Sequence, residues 1–180
     1  PRESNQINKL AKNNTINILV ESVESAELAK KYLVEKVNFF VKIDLGYRRT
    51  GVDPVNKELI KNIIATTSTS NLNFSGFLGH AGHAYTNDHT RIREIFNRSI
   101  EVLSGLQNSF GGIVSYGDTP SCSLLDDFRG VDEIRAGNFA FYDLMQLDYG
   151  VCQLEDVACC LAVPVVARHP ERNEIVVYGG

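Results

Sequence analysis

The chain of 180 residues carries 18 Lys and Arg against 22 Asp and Glu, a formal net charge of −4, and 43% of its residues are hydrophobic. A mildly acidic chain without a cluster of basic residues is a poor candidate for binding nucleic acid, because neutralising phosphates takes clustered Lys and Arg. No apolar run approaches the roughly 20 residues that a membrane-spanning helix needs, so the sequence predicts an ordinary globular core and no membrane protein.

The first 150 residues alternate between short apolar runs and amphipathic segments. The apolar runs predict strands at residues 16–20, 38–45, 72–78, 112–115 and 133–136. The segments between them predict a helix ending near residue 12, one capped by Ser25, one beginning at Asp53-Pro54, one over 87–106 and a short one over 122–128. Strands that alternate with helices favour a parallel sheet built from βαβ units.

The pattern changes after residue 150. Residues 154–167 and 174–178 predict two strands joined by a turn, with no helix between them, which is typical of an antiparallel hairpin. We therefore expect an α/β domain over residues 1–150 and the beginning of a β domain over residues 151–180. The start at Pro1, without Met, and the end at Gly179-Gly180 directly after a predicted strand indicate a piece of a longer protein.

The four cysteines, Cys122, Cys152, Cys159 and Cys160, have no C-x-x-C spacing. This pattern argues against a zinc site and against a disulfide framework. We expect free, buried thiols in a reducing, cytoplasmic setting.

Polar residues with glycine among them follow the last four of the five predicted parallel strands. The four segments are 44–46, 79–83, 115–119 and 135–138. Parallel α/β proteins bind ligands where the carboxyl ends of the strands converge, and glycine lets backbone N–H groups approach an anion closely. The sequence therefore predicts a phosphorylated ligand at this edge of the sheet.

The same segments resemble a known family. Residues 41–51, V-K-I-D-L-G-Y-R-R-T-G, resemble the K-x-D-x-G-x-x-R-x-G signature of the alanine-racemase-type, fold type III pyridoxal-phosphate enzymes. Residues 79–85, 115–121 and 133–143 resemble, in the same order, segments of its D-threonine aldolase and D-serine dehydratase branch.

The resemblance implies a (β/α)8 TIM-type barrel that binds pyridoxal 5′-phosphate at its mouth and continues into a β domain. The N-terminal units of that barrel would be missing here, and the Schiff-base lysine would lie upstream of this chain. The resemblance also implies a divalent metal, zinc or manganese, held by residues outside this chain. By itself the chain should then be inactive. Homodimers are common in this family.

The resemblance also assigns roles to the residues of the phosphate-binding edge. Ser115 and Thr119 would contact the phosphate; the alternative is a turn that caps the next helix. Gly137 and Asn138 would supply backbone amides to the same group; the alternative is a turn that ends the strand.

Four further residues are candidates near the cofactor ring and the substrate. His80 would stack on the ring or bond beside it, and Tyr85 would contact the ring nitrogen; in each case a packed loop residue is the alternative. Asp44 and Arg49 would support catalysis, with Arg49 binding a substrate carboxylate; the alternative is an Asp–Arg salt bridge that holds the loop. His83 is expected to be structural, and no metal site is expected in this chain.

The resemblance implies a lyase that acts on D-amino acids with a β-hydroxyl group. Both a D-threonine aldolase and a D-serine dehydratase fit this description. An amino-acid racemase of the same fold, or a non-catalytic pyridoxal-phosphate-binding or scaffold protein, remain the alternatives. The expected partner is a small amino-acid substrate, with no nucleic acid and no membrane.

Overall fold

Five apolar segments form one parallel sheet in the computed structural model, which describes residues 2–67 and 71–179. The strands are β1 (Asn17–Val20), β2 (Val37–Ile43), β3 (Leu72–Gly79), β4 (Ile113–Tyr116) and β5 (Glu133–Ile134). They lie side by side in chain order, and each neighbouring pair is parallel. Sequential parallel strands are the arrangement of consecutive βα units in a (β/α)8 barrel, which confirms the predicted α/β fold class. Residues 1, 68–70 and 180 lie outside the described part.

Helices connect the strands. Their bounds are α1 (Ser4–Ala11), α2 (Val23–Tyr32), α3 (Lys57–Thr67), α4 (His89–Phe110), α5 (Thr119–Leu124) and α6 (Leu144–Asp148). The core lies between these helices and the sheet. No residue of strand β2 is exposed, as expected for a parallel strand covered on both sides: one face is wholly apolar, and on the other face Phe40 is buried between the half-buried Asn38 and Lys42. The largest fully buried apolar side chains are Tyr116, Phe39, Phe77, Ile43, Ile60, Ile63, Ile92 and Leu103.

Two predicted helix starts were wrong, because a neighbouring residue supplies the cap. The N-cap of α2 is Ser22, not Ser25: the Ser22 hydroxyl accepts from Ser25 N at 3.0 Å, and the Ser25 hydroxyl accepts from Ser22 N at 3.1 Å, which completes a capping box. Asp53 closes a local turn by accepting from Val55 N at 3.0 Å. Helix α3 therefore begins after Asn56, whose side chain accepts from Leu59 N at 3.1 Å.

Two predictions around the fifth strand were also wrong, and one helix was missed. Helix α5 begins at Thr119, three residues before the predicted start at Cys122, because Asp118 caps it. Strand β5 ends at Ile134 and not at Ala136. Helix α6, capped by Asp143, was not predicted at all.

The predicted hairpin is present, but its first strand is much shorter than expected. Strands β6 (Val165–His169) and β7 (Glu174–Val177) pair antiparallel around a 3-10 turn at Pro170–Arg172. The prediction that the first strand starts at residue 154 was wrong. Residues 154–156 form a 3-10 turn, and the first strand pairs with β7 only from Val165 onward.

The thiol prediction was half right. All four cysteines are free, but only Cys152 is buried; Cys122 is half-buried, and Cys159 and Cys160 are exposed. The last two lie in the segment that does not form a strand. No helix within residues 2–67 and 71–179 has the length and apolar character needed to cross a membrane.

Candidate functional site

The carboxyl ends of β3, β4 and β5 are joined by hydrogen bonds along one edge of the sheet. After β3, His80 Nδ1 lies 2.7 Å from the carbonyl oxygen of Gly117, which follows β4. After β5, an Nη2 hydrogen of Arg135 reaches back to the carbonyl of Gly79 at 2.8 Å. Three segments that are far apart in the sequence therefore form one wall.

His80 presents a neutral imidazole at this edge. Its Nδ1–H donates to the Gly117 carbonyl, which fixes the tautomer and leaves Nε2 as an acceptor. Burial is the largest influence on His80 and lowers its pKa, and the positive charges of Arg49 and Arg135 act in the same direction. The hydrogen bond to Gly117 and the charge of Asp118 act in the opposite direction but do not outweigh the burial.

Gly117 is glycine because another backbone segment occupies the space of a side chain. A Cβ at this position would lie 2.1 Å from the carbonyl oxygen of Arg135, far inside contact distance. The loops after β4 and β5 consequently approach each other backbone to backbone.

Arg135 links three strand ends, and sequence reasoning missed it. Its Nε donates to Ser115 Oγ at 2.7 Å and its Nη2 to the carbonyls of Gly79 and Ser115. Ser115 in turn donates to the carboxylate of Glu133, so the Ser115 hydroxyl is engaged inside the wall. Burial lowers the pKa of Arg135, partly offset by the charge of Glu133.

The two predicted halves of the phosphate-binding edge contact each other. The backbone N–H of Asn138 donates to Thr119 Oγ1 at 3.2 Å. The side chain of Asn138 donates to Asp143 at 2.7 Å, which ties this loop to the cap of α6. Gly137 faces open space, since a Cβ there would meet no heavy atom within 4 Å.

A buried network beneath Thr119 was also missed. The Tyr116 hydroxyl donates to the carboxylate of Asp118 and lies 3.2 Å from Ser121 Oγ. Asp118 also accepts from Ser121 N at 2.7 Å as the cap of α5. Burial raises the pKa of Asp118 and that of Tyr116, in the latter case well above its usual range. The D-x-x-S spacing is the capping signal that could have revealed it.

The loop after β2 is held by hydrogen bonds within the loop, and the Asp44–Arg49 salt bridge that was the alternative prediction is not formed. Asp44 Oδ1 accepts from Gly46 N and Arg48 N, which makes it a turn-forming residue. Among the described residues, no ion pair joins Asp44 to Arg49. The guanidinium carbon of Arg49 instead lies 5.4 Å from the ring centre of Tyr47.

Tyr85 and His83 lie in the segment after β3. The Tyr85 ring is 6.3 Å from that of His80 and 6.4 Å from that of Tyr149. His83 packs parallel to Tyr47, and its buried Nδ1 has no hydrogen-bond partner among the described residues. The described residues contain no group of three His, Cys, Asp or Glu side chains placed to hold a metal ion.

A cavity of about 620 Å³ lies beside this edge, between the loop after β2 and helix α4. Its lining includes Asp44 and His83 but neither His80 nor Thr119 nor Asn138. The convergent hydrogen bonds, and not this cavity, therefore define the candidate site.

Comparison with known proteins identifies the family. The model of the alanine racemase N-terminal domain matches residues 2–144. A D-serine dehydratase of Dictyostelium discoideum is 31% identical over 92% of this chain and 47% of its own length. The chain thus spans about half the length of such curated relatives.

Solved structures show the same architecture. D-threo-3-hydroxyaspartate dehydratase from Delftia sp. HT23 superposes with a TM-score of 0.82 at 25% identity, over 95% of this chain and 48% of that protein. A variant of that dehydratase has been solved in a metal-free form. D-threonine aldolase from Filomicrobium marinum shares the fold, with a TM-score of 0.70 at 18% identity over 93% of this chain and 48% of that one.

Proposed function

Because the chain belongs to the alanine racemase N-terminal domain family, we propose that the whole protein is a pyridoxal-phosphate-dependent lyase acting on D-amino acids that carry a β-hydroxyl group. The names of the 31% identical D-serine dehydratase and of the Delftia dehydratase support dehydration over aldol cleavage. The contact between Asn138 N and Thr119 Oγ1 carries the proposal, because it brings both predicted halves of a phosphate site together.

The residues present fit a phosphate group. The Thr119 hydroxyl accepts from Asn138 N and keeps its own hydrogen free to donate. Gly137 leaves space beside this pair for a ligand to approach the backbone amides. The Thr119 hydroxyl and the Gly137 amide would hold the phosphate, and Asn138 would contribute by orienting the Thr119 hydroxyl through its own N–H. Ser115 would act by orienting Arg135 behind them.

His80 and Tyr85 would flank the ring of the cofactor. His80 is held by Gly117 and stays neutral at neutral pH because burial lowers its pKa. Arg49, which has no carboxylate partner among the described residues, would bind the carboxylate of the amino acid. Asp44 would hold the loop that carries Arg49.

Pyridoxal phosphate supplies the electron sink that stabilises negative charge at Cα. In a dehydration, the Cα–H and Cβ–OH bonds break with loss of water, and a water molecule then hydrolyses the C–N bond of the unsaturated product to give a 2-oxo acid and ammonia. A divalent metal, zinc or manganese, would be bound by residues outside this chain. We also propose that the protein is a homodimer and that this chain divides into a barrel part, residues 1–150, and the beginning of a β domain, residues 151–180. A cytoplasmic location is proposed as well, supported by the four free thiols.

The test uses the full-length protein. A visible absorption band that borohydride removes, followed by recovery of pyridoxyl-lysine after acid hydrolysis, would establish the cofactor. Separate incubations with D-serine, D-threonine and D-threo-3-hydroxyaspartate would then be assayed for 2-oxo acid, acetaldehyde and the opposite enantiomer. We expect 2-oxo acid and ammonia in equal amounts. Acetaldehyde formed from D-threonine would indicate an aldolase, and formation of the L-isomer would indicate a racemase. If every amino acid remained unchanged, the non-catalytic scaffold protein would be favoured.

A further inference from the structure

We propose that Tyr47 is a positioning residue, whose ring, seated on Gly82, holds the guanidinium of Arg49 at the mouth of the site. This inference rests on the proposed function, because it matters only if Arg49 binds the substrate carboxylate. The signature leaves position 47 open, so the inference is argued from the contacts of Tyr47 alone.

The ring of Tyr47 occupies the space that a side chain at residue 82 would fill. A Cβ on Gly82 would lie 2.5 Å from Tyr47 Cε1, 2.7 Å from Cδ1 and 2.8 Å from Cζ. Gly82 does not have a positive φ, so its backbone does not require glycine. The absence of a side chain at Gly82 is therefore explained by the ring that packs on it.

Two histidines fix the orientation of this ring. His83 lies nearly parallel to it, at 14° and 6.4 Å between centroids. His80 meets it edge-on, at 76° and the same distance. The Tyr47 ring thus packs on the backbone of Gly82 and contacts two histidines of the segment that follows β3.

Arg49 contacts the exposed side of this ring. Its guanidinium carbon is 5.4 Å from the ring centre, within the range of a cation–π contact. Between the two residues, Arg48 adopts φ +58°, and its N–H donates to Asp44 at 3.0 Å. This left-handed turn folds the chain so that Arg49 lies over Tyr47.

Arg49 is close enough to the wall to act there. Its positive charge is one of the influences that lower the pKa of His80. No carboxylate within residues 2–67 and 71–179 forms an ion pair with Arg49. Tyr47 therefore provides the contact that orients an otherwise unpaired guanidinium beside the ring-binding residues.

The experiment is a double-mutant cycle in the full-length, cofactor-loaded protein. The variants are Tyr47→Ala, Gly82→Ala and the double variant, with Tyr47→Phe as the conservative control. The first readout is the dissociation constant of acetate, a carboxylate without an amino group, measured by calorimetry. The second is the split between KM and kcat for the amino acid that the wild type consumes.

We expect Tyr47→Ala to weaken acetate binding and raise KM roughly 3- to 10-fold, with little change in kcat and in cofactor affinity. Gly82→Ala should have the same effect, because its new methyl group displaces the ring. In the Tyr47→Ala background it should add nothing, since the space is then free. Tyr47→Phe, which keeps the ring, should restore acetate affinity to about that of the wild type.

Unchanged acetate affinity in Tyr47→Ala, or additive effects of the two substitutions, would overturn the inference. A loss in Tyr47→Phe as large as that in Tyr47→Ala would do the same, because the ring face would then not matter. Arg49→Gln separates this failure from that of the proposed function. If Arg49→Gln weakens acetate binding and Tyr47→Ala does not, only the role of Tyr47 fails; if neither does, the role of Arg49 in the proposed function fails as well.

Discussion

Replacing Gly117 by alanine tests whether the close approach of two loops builds the site. The new Cβ would lie 2.1 Å from the carbonyl oxygen of Arg135, whereas ordinary contact begins at 3.4 Å. The loops after β4 and β5 would have to separate by the difference, about 1.3 Å. The hydrogen bond between His80 Nδ1 and the Gly117 carbonyl, now 2.7 Å, would be strained by the same movement.

The expected cost has two parts. Overpacking of this kind costs about 1–3 kcal/mol in the free energy of unfolding, and a lost hydrogen bond adds about 1 kcal/mol. The movement also displaces Asn138 from Thr119, and a misplacement of about 1 Å lowers function by up to roughly 100-fold. We therefore expect a lower urea midpoint and a 10- to 100-fold weaker affinity for pyridoxal phosphate, on the order given by that misplacement.

Gly105→Ala is the matched control. Gly105 lies within α4, and a Cβ there would meet no heavy atom within 4 Å. Alanine in a helix interior is favoured over glycine by about 0.5–1 kcal/mol, so this variant should unfold at an equal or higher urea concentration and bind the cofactor normally. If Gly117→Ala behaved like Gly105→Ala in both assays, the proposed close approach would not exist.

Three further substitutions test the contacts of the same wall. Tyr116→Phe leaves the buried carboxylate of Asp118 without its phenol donor and should lower the free energy of unfolding by about 1.5–3 kcal/mol. Tyr32→Phe should be neutral, because the Tyr32 hydroxyl makes no hydrogen bond to a described residue. Equal urea midpoints for the two variants would contradict the network. Thr119→Val removes the hydroxyl that accepts from the Asn138 amide and should weaken pyridoxal phosphate binding about 10-fold or more. Thr66→Val, at a half-buried position of α3 whose hydroxyl donates to Asn62 O, should leave cofactor affinity unchanged; equal affinities of the two variants would exclude Thr119 from the phosphate site. Burial lowers the pKa of His80, so as the pH falls through about 6.5 the unfolded state takes up this proton before the folded state does. The free energy of unfolding should therefore decrease below that pH. His80→Gln should flatten the dependence of the urea midpoint on pH between pH 5 and 8, and an unchanged slope would refute this role of His80.

The strands were predictable because their signals are local. Five of the seven residues of strand β2 are apolar, which is typical of a strand covered on both sides. The polar segments lie after the strands, where ligands bind in parallel α/β proteins. Helix starts were less predictable. Asp53 and Asn56 are both good caps three residues apart, and the choice between them depends on which backbone N–H each reaches in the folded chain.

The site residues that the sequence predicts are those that stand in motifs, whereas the residues that support them were missed. Thr119, Asn138 and His80 stand directly in the motifs. Arg135 also stands in a motif, but its function as a link to Gly79 depends on a contact between residues 56 positions apart. No sequence pattern records such a contact. The same holds for the packing of Tyr47 on Gly82, which becomes visible only when two loops are placed together.

The loop after β2 departs from that strand and returns to it at almost the same point. Asp44 N donates to Val52 O, and Val52 N donates to Lys42 O, so both feet of the loop are fastened to one strand end. Insertions or deletions near its tip, around residues 47–50, would leave the register of the sheet undisturbed. The family signature nevertheless keeps a fixed spacing from Lys42 to Gly51, which indicates that the length of this loop is held constant because it sets how far Arg49 reaches, and not because the sheet requires it.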